Sequence, residues 1–145
     1  MATINTALQN VNKLDLAKEA MFVVVEMKDR FLELNKDQLS DGLNKAGVLI
    51  EPPYKPSTKK YKLAIGRTGN VDLLKSGAYQ EAMKLEVKSK DEYLISSSDW
   101  KNAMLIKRYA RTPYFGLNSL SRTELINSGY RTNLIDRVKA VTKFE

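Results

Sequence analysis

The 145-residue chain contains no cysteine and no histidine. Without cysteine there is no disulfide, no thiolate nucleophile and no sulfur-ligated zinc. Without histidine the commonest general base near neutral pH and the commonest metal ligand are both missing. Ser-His-Asp and Cys-His catalysis are therefore excluded, and a metal site would need carboxylates alone. Long apolar runs are missing too. The longest, Ala20 to Val25, is six residues, against the roughly 20 that cross a bilayer. The opening MATINTALQNVNKLDLAKEA has no basic region followed by an apolar stretch, so no signal peptide is expected and the chain should act in a cytoplasm or be released from one. Acidic residues are in the minority. The formal charge is +7 and the pI near 9.5, which suits contact with nucleic acid or an acidic protein, although a soluble domain with no such partner can carry the same charge.

What is present fits one domain with a real core, since 43% of residues are hydrophobic and 28% charged. Three zones follow one another without repeats, the third made of a hairpin-and-helix block and a C-terminal tail. Residues 1–42 read as helical, with apolar positions at Leu8, Val11, Leu14, Ala17, Met21, Val24, Phe31 and Leu32. Asn12 and Asp15 resemble a weakened capping box, so a fresh start near Asn12 is plausible on capping grounds. Val23, Val24 and Val25 are stiff helix formers. Their run suggests burial on more than one side, against the chain's own sheet or against another subunit. Gly42 or Gly47 should stop the helix.

Residues 48–71 read as a long basic loop. Pro52, Pro53 and Pro56 argue against helix and interior strand. Between Pro52 and Val71 lie Lys55, Lys59, Lys60, Lys62 and Arg67 with no acid among them, and Tyr61, Leu63 and Ile65 alternate as in a short edge strand. This stretch is expected to be a protruding arm that meets a partner or DNA, or else a solvated loop.

Residues 72–118 read as a hairpin followed by a helix. Tyr79, Met83, Leu85 and Val87 would share one face of the first strand, Ser89-Lys90-Asp91 would form the turn, and Tyr93 and Ile95 would continue the alternation. Asp99 or Ser98 can cap the next helix, in which Ala103, Ile106 and Tyr109 or Ala103, Met104 and Lys107 define rival faces. Residues 119–145 read as a terminal helix, from about Ser121 to Phe144, kinked at Gly129. The fold class is therefore α+β, with a long N-terminal helix and C-terminal helices packed on a small antiparallel sheet.

No catalytic constellation emerges. Glu81 and Glu86 would fall on opposite faces of a strand, which excludes an acid-base pair. Gly66-Arg67-Thr68-Gly69 has the spacing of a KH-domain loop, but it equally makes a plain turn, and a strand-like segment precedes it. Lys101, Lys107, Arg108 and Arg111 interleave with Trp100, Tyr109 and Tyr114, as in strand-binding surfaces and in protein interfaces. Trp100 is expected to close the core. Tyr114 and Phe115, with Val23 and Val25, are the candidate subunit contacts.

Five segments then line up in order: LNKDQL at Leu34–Leu39, the loop from Gly47 to Tyr61, DLLKSGAY at Asp72–Tyr79, ISSSDWK at Ile95–Lys101 and KRYARTPYFGLN at Lys107–Asn118. This succession resembles a family of tail-completion, neck or minor structural proteins of tailed bacteriophages, especially those infecting gut Bacteroidetes. The resemblance covers a little over half the chain. The sequence departs from the family pattern at Ala78, between Gly77 and Tyr79, and in a lengthened Pro-rich stretch at Glu51–Ser57. The resemblance implies a virion subunit without catalytic residues or cofactors. Such a subunit forms a homo-oligomeric ring at the head–tail junction or tail and contacts portal, connector or tail proteins, with DNA in the channel. The second expectation is a basic nucleic-acid-binding phage accessory protein outside the particle.

Overall fold

A computed structural model describes residues 4–143. The chain forms an α+β fold in which helices pack on a two-stranded antiparallel sheet. The first zone is not one long helix but three: α1 (Ile4–Asn12), α2 (Leu16–Glu26) and α3 (Lys28–Ser40). The first break falls just after Asn12, because the Asp15 carboxylate accepts from the Lys18 N–H at 3.2 Å and starts a new helix. The second falls at Met27, whose φ/ψ of −102°/16° leaves the helical region directly after the valine run. Gly42 stops α3 as expected. At φ 78° it lets its own N–H reach the Leu39 carbonyl and the Leu43 N–H reach that of Gln38, the paired bonds of a Schellman motif.

Residues 48–71 are not a continuous loop. They contain α4 (Pro56–Ala64), and Tyr61, Leu63 and Ile65 lie on or beside this helix, not in an edge strand. Pro56 occupies the first turn, where its missing N–H has no intrahelical partner to lose and its ring presets the helical φ. Proline thus starts the helix it was expected to forbid.

A short helix, α5 (Ala78–Glu81), leads into β1 (Met83–Val87), which pairs with β2 (Tyr93–Ser97). The hairpin register places Leu85 opposite Ile95 and Val87 opposite Tyr93, around the expected turn at residues 89–91. Tyr79 and Glu81 belong to α5 and not to the strand. The spacing of four between Tyr79 and Met83 satisfies a helical repeat as well as an alternating one, so alternation alone could not place the boundary.

Three helices follow among the described residues: α6 (Asn102–Arg108), α7 (Ser119–Leu125) and α8 (Arg131–Thr142). A wide π-type turn at Ile126–Tyr130 joins the last two and carries the expected kink, with Gly129 at φ 127°. The terminal helix was expected to reach Phe144, and that position, like residues 1–3 of the first zone, lies outside the described residues.

The core has two lobes. One gathers Leu39, Ile50, Val71, Met83, Ile95 and a tyrosine cluster, and the other Met21, Val24, Phe31, Leu34, Leu117 and Leu125. Leu85 and Tyr93 touch both, so the sheet is the partition that joins them. Helix α3 lies along it and contributes two buried amides. Asn35 donates to the carbonyls of Tyr114 and Gly116, each at 3.2 Å, and accepts from the Gly116 N–H at 3.3 Å. Gln38 donates to the Gly116 carbonyl at 3.0 Å and accepts from the Asn118 N–H at 2.8 Å. The LNKDQL segment therefore clamps the YFGLN segment backbone to side chain, and every bond satisfies a polar group that burial would otherwise leave costly.

Candidate functional site

The expected interface and core aromatics exchange places. Tyr114, a candidate subunit contact, is only 2% exposed. Its hydroxyl lies 2.6 Å from that of Tyr79, and its ring packs edge-on to Tyr109. Phe115 is half-buried against Tyr79 and Tyr114. Val23 is fully buried within its own chain, whereas Val25 faces solvent. Trp100, expected in the core, is 82% exposed. The Asp99 carboxylate accepts from the Lys101 N–H at 2.8 Å and holds the turn before α6, and Trp100 sits at its outer corner beneath the Lys101 ammonium. Of the first rival face of α6 only Tyr109 is buried, and of the second none is. Tyr109 and Leu105 turn inward, while Met104 and Ile106 are exposed.

The five cations of the expected arm also divide. Lys62 is buried, and its ammonium donates to Asp72 Oδ1 at 2.7 Å and to the Leu74 carbonyl. Arg67 donates to the same carbonyl and stands 3.8 Å from Asp72 Oδ2. Lys62 is thereby committed inside the fold, and Arg67, partly exposed, is tied to the same segment. Gly66 and Gly69 do turn the chain with positive φ, but helix α4 precedes them and no helix follows directly, unlike a KH loop. Lys55, Lys59 and Lys60 remain exposed.

Asp72 is the residue that sequence reasoning passed over. It is 2% exposed and organises the DLLKSGAY segment. Its Oδ1 accepts from Lys62, from the Tyr54 hydroxyl at 3.1 Å and from the Leu74 N–H at 3.0 Å, and its carbonyl accepts from Gln80 at 2.9 Å. The Tyr54 oxygen accepts in turn from the Leu73 N–H at 3.1 Å. Leu73 is held between these bonds at φ 53°. A branched side chain in that region costs on the order of 1–2 kcal/mol, which the surrounding bonds and the burial of Leu73 offset. The only sequence sign was an acid standing alone after a run of cations.

Around this node lies an open cleft of about 840 Å³ between α4 and α6. Leu73, Tyr79 and Tyr109 form its floor, and Tyr54, Tyr61, Met104 and Leu105 its walls. Lys55, Lys62, Lys75, Lys101 and Arg108 also line it, and no acidic side chain does so among the described residues. Burial pushes the phenols of Tyr54 and Tyr79 well above the ordinary value of 10.0, with Asp72 adding to the effect at Tyr54. Both therefore stay neutral at physiological pH.

No group of three or more metal-ligating side chains occurs among the described residues, and no helix there is long and apolar enough to cross a membrane. The fold and site together define a small α+β domain with a cation-rimmed, apolar-floored cleft. No protein-family model, curated protein or solved structure matches this chain.

Proposed function

We propose that the protein is a structural, non-enzymatic subunit of a tailed-phage particle, assembling as a homo-oligomeric ring at the neck or tail end. The observation that carries the reading is the apolar surface left uncovered on the N-terminal helices. Ile4, Leu8 and Val11 recur at helical spacing along α1 and are all exposed, and Leu16, Phe22 and Val25 extend the exposed apolar surface on α2. Ile135 and Val141 of α8, which packs on both helices, add to it. Assembly subunits bury exposed apolar residues of this kind against their neighbours. The resemblance to phage neck and tail proteins falls on LNKDQL, DLLKSGAY and YFGLN, segments that here make a scaffold: α3 clamps the last, and Asp72 organises the second. Mass spectrometry of purified particles tests the reading. The chain should be present at a ring's stoichiometry, and particles free of it would refute the proposal.

A second reading, a nucleic-acid-binding accessory protein outside the particle, draws on Lys55, Lys59 and Lys60, which are exposed at α4. It requires DNA affinity that weakens steeply with salt, and a shallower salt slope once Lys59 and Lys60 are neutralised.

A further inference from the structure

We propose that the cleft between α4 and α6 is a docking site for an acidic segment of another protein that carries apolar side chains. Charge complementarity selects the acidic character. Lys55, Lys75, Lys101 and Arg108 line the opening, and none of them makes an ion pair among the described residues. Lys62 is different, being committed to Asp72 on the inner wall. Four cations without an ion-pair partner around one concavity, two of them resting over aromatic rings (Lys101 on Trp100, Arg108 on Tyr109), attract carboxylates and repel basic partners.

The floor selects a peptide over a nucleic-acid strand. Two of the cleft's tyrosine hydroxyls are already used internally: that of Tyr79, in the floor, by Tyr114 and Asn102, and that of Tyr54, in the wall, by Asp72 and the Leu73 N–H. Leu73, Leu105 and the exposed Met104 line the cleft with these rings, a surface that accepts leucine or phenylalanine side chains. Strand binding needs open ring faces on which bases stack. Tyr79 and Tyr109 are buried and Tyr54 half-buried, which leaves Tyr61 as the one broadly exposed tyrosine of the four. Two short helices flanking an apolar trough with charged lips also match the way proteins hold an amphipathic segment.

The inference deepens the partner-binding side of the proposed function and needs only that the protein has a protein neighbour. Its failure and that of the particle assignment are separable, since one is read from peptides and the other from particle composition. The test selects random short peptides against the full chain and measures the enriched peptides by fluorescence anisotropy, with an oligothymidylate of similar length beside them. Enriched peptides should combine Asp or Glu with Leu, Phe, Met or Trp. The exposed reversals Lys75→Glu and Arg108→Glu should weaken them at least about tenfold. Lys139→Glu, on the exposed surface of α8, should leave binding unchanged, and circular dichroism of all three variants should match the parent. The proposal is overturned if no peptide is enriched, if the enriched peptides lack acids or apolar residues, or if the cleft reversals leave them bound. Oligothymidylate binding lost through the same reversals, with no peptide bound, would assign the cleft to nucleic acid instead.

Discussion

At the scale of single residues, Asp72 and Lys62 decide how the DLLKSGAY segment is held. Both side chains are almost wholly shielded from water, so removing one leaves the other charge buried without its partner. Asp72→Asn is expected to cost about 3–5 kcal/mol, read as a lowered midpoint in urea denaturation at unchanged slope. Lys62→Met should cost less, because Tyr54 and the Leu74 N–H still satisfy Asp72. The double variant should be more stable than the two losses summed, by at least about 1 kcal/mol, if the pair is coupled as the geometry requires. Simple additivity would count against it.

The buried phenols make a second residue-scale prediction. Burial raises Tyr79 and Tyr114 above the ordinary tyrosine value of 10.0. A phenol that holds its proton more tightly when folded stabilises the fold fully below that ordinary value. The contribution is lost as pH rises from there toward the folded value. Ultraviolet difference spectra during alkaline titration should therefore show these two tyrosines ionising together with unfolding. Ionisation of both in a still-folded chain, seen by circular dichroism, would contradict their placement. Glu86 shifts the other way. Hydrogen bonds from Lys84 and Lys88 hold its carboxyl at about 2. Its stabilisation is present above the ordinary 4.5 and fades as pH falls toward 2, but the group is exposed and screened by solvent. Glu86→Gln should leave the neutral-pH denaturation midpoint almost where it was.

At the scale of elements, breaks marked by a glycine or a side-chain cap were the most legible features and the proline-led start of α4 the least. Gly42, Gly129 and Asp15 announce turns through backbone chemistry that is local to a few residues. Gly42→Ala and Gly66→Ala separate two costs of such glycines. Both positions have φ 78°, so each alanine pays a left-handed backbone term of about 1–2 kcal/mol. At Gly66 nothing lies within 4 Å of the new carbon, whereas at Gly42 it would sit 2.4 Å from the Asn70 Cβ. Gly42→Ala should therefore be the more damaging by a further ~1–3 kcal/mol, and equal denaturation midpoints would refute the packing of α3 against the Asn70 turn. In the segment that contains α4, three prolines look like breakers as long as the position of the helix is unknown. At a first turn proline is a starter, and only the position of the helix distinguishes the two cases.

At the scale of the whole molecule, the exposed apolar residues of α1 and α2 carry the assembly reading. Leu8→Asp and Val25→Asp replace side chains that face solvent in the single chain, so the fold should survive both. Sedimentation velocity should show an oligomer for the parent chain and a smaller species for the double variant. An unchanged monomer in both would remove the main support for a ring.

Composition and local pattern alone settled several points about this protein. The missing cysteine and histidine excluded whole classes of chemistry, and the alternation around Leu85, Tyr93 and Ile95 located the hairpin with its α+β surroundings. These are properties of residues and of neighbours a few positions apart. The burial of Tyr114, the exposure of Trp100, the pairing of Lys62 with Asp72 and the existence of the α4–α6 cleft were decided only by tertiary structure. The contact that buries Tyr114 joins segments distant in the chain, as Tyr79 with Tyr114 does. A lysine in a basic run looks the same whether its partner is water or a buried carboxylate ten residues away. Only the folding of α4 back onto the Asp72 turn makes that choice.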